Sequence, residues 1–162
     1  MNFYKEIFLK LDEAKIRYLI VGGVAVNLYG YSRFTGDIDI VLSLDKKNLE
    51  KLSKLMHELG YTERQPSSVK DLGDTKKLED FVKKKGMKAF TFVSSNKPHL
   101  DIDIIVEESL SFEKFYTKKT IIKVWGLLLP VLNIDDLIEM KKGAARDKDK
   151  MDIEALLKLK EL

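Results

Sequence analysis

The sequence contains no cysteine. This absence excludes disulfides, catalytic thiols and thiolate-bound zinc, and it fits a reducing compartment. No apolar run approaches the length of a membrane span, and residues 1–10 lack the basic, apolar and cleavable pattern of a signal peptide. We therefore expect a cytoplasmic protein without a membrane segment.

Signals of a division into several domains are equally scarce. The three prolines and nine glycines form no linker, and no internal repeat is visible. At 162 residues, with 44% hydrophobic and 34% charged residues, the chain is large enough for one real core. We expect a single domain over residues 1–162. The net charge of +3 does not make the whole molecule a ligand for polyanions, although local basic clusters could still bind nucleic acid.

Two Asp-Ile-Asp segments are the most informative feature that is present. Asp37 with Asp39, and Asp101 with Asp103, lie in apolar runs typical of β-strands. Because side chains alternate across a strand, each pair aims two carboxylates at one face. If the strands are neighbours, the carboxylates converge, and a fold that gathers them normally holds a divalent cation, with Mg²⁺ the expected ion. The alternative is that the pairs form the solvent face of ordinary amphipathic strands.

A glycine pair precedes the first of these segments. An apolar strand ends at Gly22 and Gly23, and a short helical pattern over residues 24–29 follows, closed by Gly30. Glycines allow a phosphate to approach the backbone closely, and the start of a helix offers unpaired N–H groups to an anion. On its own, a Gly-Gly turn is more typical of a tight turn than of a phosphate-binding loop.

Hydrophobic spacing and turn residues predict the other elements. We expect helices from Phe3 to Ala14, Asp45 (as N-cap) to Leu59, Asn133 (as N-cap) to Lys142 and from Asp147 onward, and strands from Arg17 to Val21, Asp37 to Leu42, Lys88 to Val93 and Leu100 to Val106. The stretch from Thr120 to Leu132 indicates either a hairpin around Gly126 or one broken strand. His57 and His99 are expected to be polar edge residues rather than catalytic ones, and Trp125 a packing residue rather than a base-stacking one.

Together these segments resemble the DNA polymerase beta-like nucleotidyltransferase superfamily, in the minimal branch that includes toxin–antitoxin and antibiotic-modifying enzymes. The family pattern Gly-Gly-x-Ala…Gly-x-x-Arg-x-Thr-x-Asp-x-Asp is matched by Gly22, Gly23, Ala25, Gly30, Arg33, Thr35, Asp37 and Asp39. A later apolar-Asp-apolar strand is matched by Leu100-Asp101-Ile102, and residues 136–153 resemble the closing helices of that branch. The resemblance implies an α/β (α+β) nucleotidyltransferase fold, with a small mixed β-sheet flanked by helices and with C-terminal closing helices.

Two departures from the family pattern matter. Gly23 stands where many relatives have serine, so backbone N–H groups must contribute more to phosphate binding. The third-carboxylate strand offers two candidates, and we favour Asp101 because it takes the family's position, with Asp103 as the alternative.

The resemblance also implies a reaction and a set of site residues. A nucleoside monophosphate would move from a nucleoside triphosphate, ATP among them, to an acceptor hydroxyl by a two-metal mechanism. Asp37 and Asp39 would hold the nucleotide-bound Mg²⁺ or Mn²⁺, and they and Asp101 a second ion, with Asp103 as a further catalytic candidate. The nucleotide would be bound by Gly22, Gly23, Arg33 and Thr35. Arg33 is the first choice for the cation that balances the leaving charge, because a guanidinium suits phosphate. Lys141 and Arg146 are second choices, each of which also fits a structural role.

The acceptor is the least constrained part of this prediction. Candidates are tRNA or another nucleic acid, a protein hydroxyl, or a small antibiotic. The resemblance also implies a role in a toxin–antitoxin system. A small acceptor would need a homodimer to enclose it. The lysine-rich stretch from Tyr61 to Gly86 is expected to be a solvated loop and helix face, or else to hold the acceptor. A catalytically silent nucleotide-binding module of a two-component system is the competing hypothesis.

Overall fold

A computed structural model describes residues 2–107, 111–144 and 146–162. The main elements are α1 (Asn2–Glu13), β1 (Tyr18–Val21), α2 (Gly22–Tyr29), β2 (Ile38–Leu42), α3 (Lys46–Glu58), β3 (Tyr61–Glu63), α4 (Thr75–Glu79), β4 (Ala89–Ser94), β5 (Ile102–Ile105), α5 (Phe112–Thr117), β6 (Thr120–Val124), β7 (Leu127–Val131), α6 (Ile134–Ala144) and α7 (Asp147–Lys160). A 3₁₀ turn (Val69–Gly73) and a π turn (Asp80–Lys84) flank α4. Within the described ranges, no helix has the length and apolarity needed to cross a membrane.

The strands form one mixed sheet with the order β3-β4-β5-β2-β1-β7-β6. The central strand β2 pairs antiparallel with β1 and parallel with β5, and β1 pairs parallel with β7. The outer pairs β3 with β4, β4 with β5 and β6 with β7 are antiparallel. The α/β fold class with a small mixed sheet and closing helices, expected from the sequence, is confirmed.

The hydrophobic core lies on the central strands, because these strands carry branched aliphatic side chains that pack well on a pleated surface. All four residues of β1 are buried. Helices α1 and α3 contribute the apolar stripes that their sequence spacing predicts, and the buried residues of these two helices include Ile7, Phe8, Leu11, Leu49, Leu52 and Met56. Helix α2 packs against β1, β2 and α7, and α6 packs against α7.

Several local predictions are confirmed by these elements. Asp45 caps α3 by accepting a hydrogen bond from the Asn48 backbone N–H at 2.9 Å. Asn133 caps α6, since its Oδ1 accepts from the Asp135 backbone N–H at 2.9 Å. The stretch around Gly126 is a hairpin rather than one broken strand.

Candidate active site

Strands β2 and β5 bring the two Asp-Ile-Asp segments together. The strands are parallel neighbours, with Asp39 opposite Asp103 in the register. The intervening isoleucines face the core, and Ile38 and Ile40 are fully buried. The carboxylates therefore point to the other face of the sheet, near the amino ends of both strands.

Burial and mutual repulsion change the acidity of this cluster. Burial, together with the charges of Asp103 and Asp37 and a hydrogen bond with Asp103, raises the pKa of Asp39 to about 7, while Lys141 opposes the shift. Burial and the charges of Asp103 and Asp101 also raise the pKa of Asp37. A compact group of carboxylates with raised pKa values is typical of a functional site, because it is costly unless something positive joins it.

The two carboxylates of the third-carboxylate strand have different partners. Asp103 Oδ1 accepts a hydrogen bond from Thr91 Oγ1 at 2.6 Å and faces Asp39. Asp101 Oδ2 instead accepts from Arg64 Nη2 at 2.7 Å. This geometry favours Asp103, the alternative candidate, over Asp101 as the third carboxylate beside Asp39.

The first turn of α2 lies directly against this cluster. Gly22 has a φ of +66°, which favours glycine, and a methyl group on it would overlap the carboxylate of Asp39. Helix α2 starts at Gly22 without a side-chain cap from Val21, so the N–H groups of its first turn have no such partner. An uncapped helix start beside acidic side chains is a place where an anion and a cation can be bound together.

Gly23, the next residue, also lies where a side chain would not fit. A methyl group there would lie 2.5 Å from Thr35 Oγ1 and 3.1 Å from Arg33 Nη2. The glycine therefore allows Thr35 and Arg33 to pack against the start of α2. The loop that carries them is also held by Tyr4, whose hydroxyl donates to the Thr35 carbonyl at 2.5 Å.

The three cations predicted from the sequence belong to one ion-pair network around two buried aspartates. Arg33 donates to both carboxylate oxygens of Asp152, at 2.7 and 2.8 Å, and Lys141 lies 2.8 Å from Asp152 and 3.6 Å from Asp149. Arg146 donates to Asp149 at 2.7 Å. Asp149 and Asp152 are 1% and 0% exposed. The network fixes α6, α7 and the Arg33 loop relative to one another.

The protonation states of this network follow from its hydrogen bonds. Burial alone would raise the pKa of Asp149 and Asp152. Hydrogen bonds from Arg146 to Asp149, and from Arg33 and Lys141 to Asp152, hold both pKa values below the usual aspartate range. Both carboxylates are therefore charged at neutral pH and compensate the cations.

Four functional candidates were missed from the sequence: Asp149, Asp152, Arg64 and Thr91. The i, i+3 spacing of Asp149 and Asp152 on a helix, facing a lysine and an arginine, was a signal for the first two. Nothing in the local sequence marked Arg64 or Thr91, because both reach the site through strand pairing. Lys148 lies near the site as well, since its charge partly opposes the rise in the pKa of Asp37 that burial and the neighbouring carboxylates cause.

Other residues considered from the sequence lie outside this cluster. His57 pairs with Glu63 at 3.0 Å, and His99 is exposed. Trp125 stacks on Phe8 with ring centroids 6.5 Å apart, which confirms its packing role. Lys83 lines an apolar groove at the carboxyl ends of β2 and β5, the opposite end of these strands from the aspartates.

The acidic residues fit a hard divalent cation. In the described ranges, no three acidic or histidine side chains already surround a common metal position. Asp37, Asp39 and Asp103 nevertheless supply oxygen ligands on one face. The raised pKa of Asp39 reflects its burial first and then the repulsion by Asp103 and Asp37, which a cation would relieve. A few carboxylates completed by substrate phosphates are the usual surroundings of Mg²⁺.

Comparison with solved structures places this fold among the nucleotidyltransferases. The lincosamide adenylyltransferase LnuA, bound to lincomycin, aligns with a TM-score of 0.62 and 16% identity over 98% of this chain and 96% of its own. ANT(2'')-Ia, in complex with adenylyl-2''-tobramycin, aligns with a TM-score of 0.63 and 13% identity over 96% and 86%. The Helicobacter pylori protein JHP933 aligns with a TM-score of 0.52 and 15% identity over 92% and 60%.

A family profile extends this assignment from the fold to the sequence. The profile described as "Nucleotidyl transferase AbiEii toxin, Type IV TA system" matches residues 9–157. The chain belongs to this AbiEii nucleotidyltransferase toxin family, which confirms the resemblance inferred from its motifs. Among curated proteins, no sequence matches the chain significantly.

Proposed function

We propose that this chain is a metal-dependent nucleotidyltransferase that moves a nucleoside monophosphate from a nucleoside triphosphate to a hydroxyl of a nucleic acid or protein. We place it in a toxin–antitoxin system of the cytoplasm. The observation that carries the proposal is the alignment of Asp39 with Asp103 beside the uncapped first turn of α2. This arrangement can bind the triphosphate and a divalent cation side by side.

Asp37, Asp39 and Asp103 are the residues that would hold Mg²⁺ or Mn²⁺. The bound ion would neutralise charge on the phosphates and lower the pKa of the acceptor hydroxyl. The backbone N–H groups of Gly22 and Gly23 donate to the β and γ phosphates. Because Gly23 has no side chain, Arg33 Nη2 is close enough to the start of α2 to contribute its charge to the same phosphates.

The reaction is an in-line displacement at the α-phosphorus. The acceptor oxygen forms a new bond to phosphorus, the bond from phosphorus to the bridging oxygen of the β phosphate breaks, and pyrophosphate leaves. The hydroxyl proton passes to water. Asp152 keeps Arg33 in a fixed orientation through its bidentate contact, while Lys141 and Arg146 keep Asp152 and Asp149 compensated. Lys141 and Arg146 thus act through position and charge.

A small-molecule acceptor is the second candidate, since LnuA and ANT(2'')-Ia are adenylyltransferase structures with bound antibiotic groups. We favour the larger acceptor because Asp37, at the amino end of the central strand β2, is exposed. A homodimer that closes over the amino ends of β2 and β5 would instead favour a small acceptor.

The proposal is tested by nucleotide binding with and without metal. A nucleoside triphosphate should raise the melting temperature in Mg²⁺ or Mn²⁺ more than in a chelator, because a ligand of the folded state stabilises it by mass action. The double variant Asp37→Asn, Asp39→Asn should lose the metal-dependent part. The matched control Glu50→Gln, Glu58→Gln removes two exposed charges from α3 and should retain the metal-dependent part of the thermal shift. Equal shifts with and without metal would contradict the proposal.

A further inference from the structure

Arg64 is an exposed cation beside the carboxylate cluster. Its Nη2 donates to Asp101 Oδ2 at 2.7 Å, and its side chain is 59% exposed. Among the described residues, its guanidinium has no hydrogen-bond partner other than Asp101. The charge of Arg64 also acts on Asp37, where it partly opposes the rise in pKa that burial and the neighbouring carboxylates cause. The remaining guanidinium N–H groups face solvent and are available to a ligand.

The backbone at Arg64 is held in place by strand β4. The Arg64 N–H donates to the Thr91 carbonyl at 2.9 Å. Gln65 binds the same residue twice, accepting from the Thr91 N–H at 2.7 Å and donating to the Thr91 carbonyl at 3.1 Å. Thr91 in turn donates to Asp103 at 2.6 Å. Thr91 therefore connects the backbone of Arg64 directly to the carboxylate of Asp103.

Arg64 lies on the side of the carboxylates that is remote from the glycine turn. The sheet order places β1, which leads into α2, on one side of β2, and β5 followed by β4 and β3 on the other. Neighbouring strands are about 4.8 Å apart. The start of α2 and the guanidinium of Arg64 thus lie on opposite sides of the carboxylates. A triphosphate bound at the start of α2 would leave the Arg64 side to the acceptor.

We propose that Arg64 positions the acceptor by binding a phosphate next to the attacking hydroxyl, with Asp101 holding the guanidinium until the acceptor replaces it. The inference rests on the proposed function and specifies the acceptor as a nucleic acid with a free hydroxyl end. A guanidinium binds carboxylate and phosphate oxygens with the same planar geometry, so a phosphate can take the place of Asp101. Asp101 is then a positioning residue and Asp103 the ligand beside Asp39.

The competing explanation is that Arg64 only neutralises Asp101. The two explanations differ in what happens when Asp101 is also uncharged. If Arg64 only neutralises Asp101, the double variant Arg64→Gln, Asp101→Asn should bind RNA as tightly as the wild type. If Arg64 binds the acceptor, the double variant should remain as impaired as Arg64→Gln alone.

The test compares binding of a short fluorescein-labelled single-stranded RNA, followed by anisotropy, with the metal-dependent thermal shift by nucleoside triphosphate. Arg64→Gln should weaken RNA binding about tenfold, as expected for one charge-assisted contact. It should also reduce the slope of log K against log salt by about 0.7. Arg64→Lys should bind RNA with an affinity between those of the wild type and Arg64→Gln. The thermal shift caused by nucleoside triphosphate and metal should be the same in all three proteins.

Arg17→Gln is the matched control, because Arg17 also makes a partly exposed ion pair of 2.7 Å, with Glu113. It should leave RNA binding unchanged. The inference would be overturned if the wild type does not bind RNA, if Arg64→Gln binds like the wild type, if nucleotide binding falls equally, or if the double variant is restored. Absence of a metal-dependent nucleotide shift in the wild type would refute the proposed function itself, and this result is separate from all of these.

Discussion

Asp39 is subject to three local effects: close packing, a facing carboxylate and burial. The Gly22 backbone packs against its carboxylate, Asp103 lies opposite it, and burial with these like charges raises its pKa to about 7. The unfolded chain has a pKa of about 3.9 at this residue. Because the folded state holds the proton more tightly, the stabilising contribution of Asp39 is complete below about pH 4 and is lost as the pH rises through about 7.

The first prediction concerns this pH dependence. Without metal, Asp39→Asn should raise the melting temperature by about 10 °C near pH 8, where the difference between a folded pKa of about 7 and an unfolded pKa of about 3.9 corresponds to roughly 4 kcal/mol. Near pH 5 the gain should fall to roughly 1.5 kcal/mol, because folded Asp39 is protonated there while the carboxyl of the unfolded chain is already ionised. Thermal melts in chelator at both pH values measure the difference, with Glu50→Gln as the control. An equal shift at both pH values would show that the charge is not responsible.

The second prediction separates backbone strain from steric overlap. Gly22 and Gly126 both have a left-handed φ, of +66° and +76°, but a methyl group on Gly126 would meet nothing within 4 Å. Gly126→Ala should therefore cost only about 1 kcal/mol for its conformation. Gly22→Ala should cost about 1–3 kcal/mol more, because it also displaces the Asp39 carboxylate. Urea unfolding measures both free energies, and equal losses would rule out the overlap.

At the scale of secondary-structure elements, the sequence predicts long, periodic or capped segments and misses short ones. The apolar stripe and Asp45 cap of α3 are local signals, and the helix begins at Lys46 as expected. Strand β3 has only three residues and is defined by pairing with β4, so residues 61–63 alone do not specify it. Helix α5, with six residues, was also missed. Helix α2 begins at Gly22, earlier than the apolar pattern indicated, and the φ of +66° at Gly22 is one that glycine adopts readily.

The third prediction concerns the packing of α7. Asp152→Ala would leave Arg33 and Lys141 without their buried partner, so we expect a loss of about 3–5 kcal/mol of stability. Glu154→Ala, on the exposed face of the same helix, should change the stability by less than about 0.5 kcal/mol. Denaturant titration of both variants tests this, and a similar small effect for both would mean that the network does not hold the helices together.

At the scale of the whole molecule, the site depends on a register that no local pattern contains. The motif predicted which strands carry carboxylates, but Asp101 and Asp103 share one face and the sequence does not determine which lies beside Asp39. The parallel pairing of β2 with β5 places Asp103 there, while Arg64, remote in sequence, engages Asp101. Such contacts arise only when the sheet assembles, so the sequence predicts which segments carry the carboxylates and leaves open which of them lie side by side.

The fourth prediction uses the distribution of positive charge across the molecule. Lys83 lies at the opposite end of β2 and β5 from the aspartates, and Lys83, Lys84 and Lys85 form ion pairs with Glu79 and Asp80. The triple change of these lysines to Gln should therefore leave nucleotidyl transfer nearly unchanged, whereas Arg64→Gln, which alters one charge at the cluster, should reduce it.

The measurement is transfer of labelled nucleotide into purified tRNA and into total protein, at low and high salt. We expect label in tRNA, decreasing steeply with salt because phosphate contacts release counterions on binding. The triple lysine variant should follow the wild-type salt dependence, since its lysines do not reach the acceptor. A loss of labelling in that variant would move the acceptor surface to the lysine segment. Label in neither fraction, together with robust labelling of an aminoglycoside or lincosamide, would show that the carboxylate site is closed around a small acceptor, as a homodimer would allow.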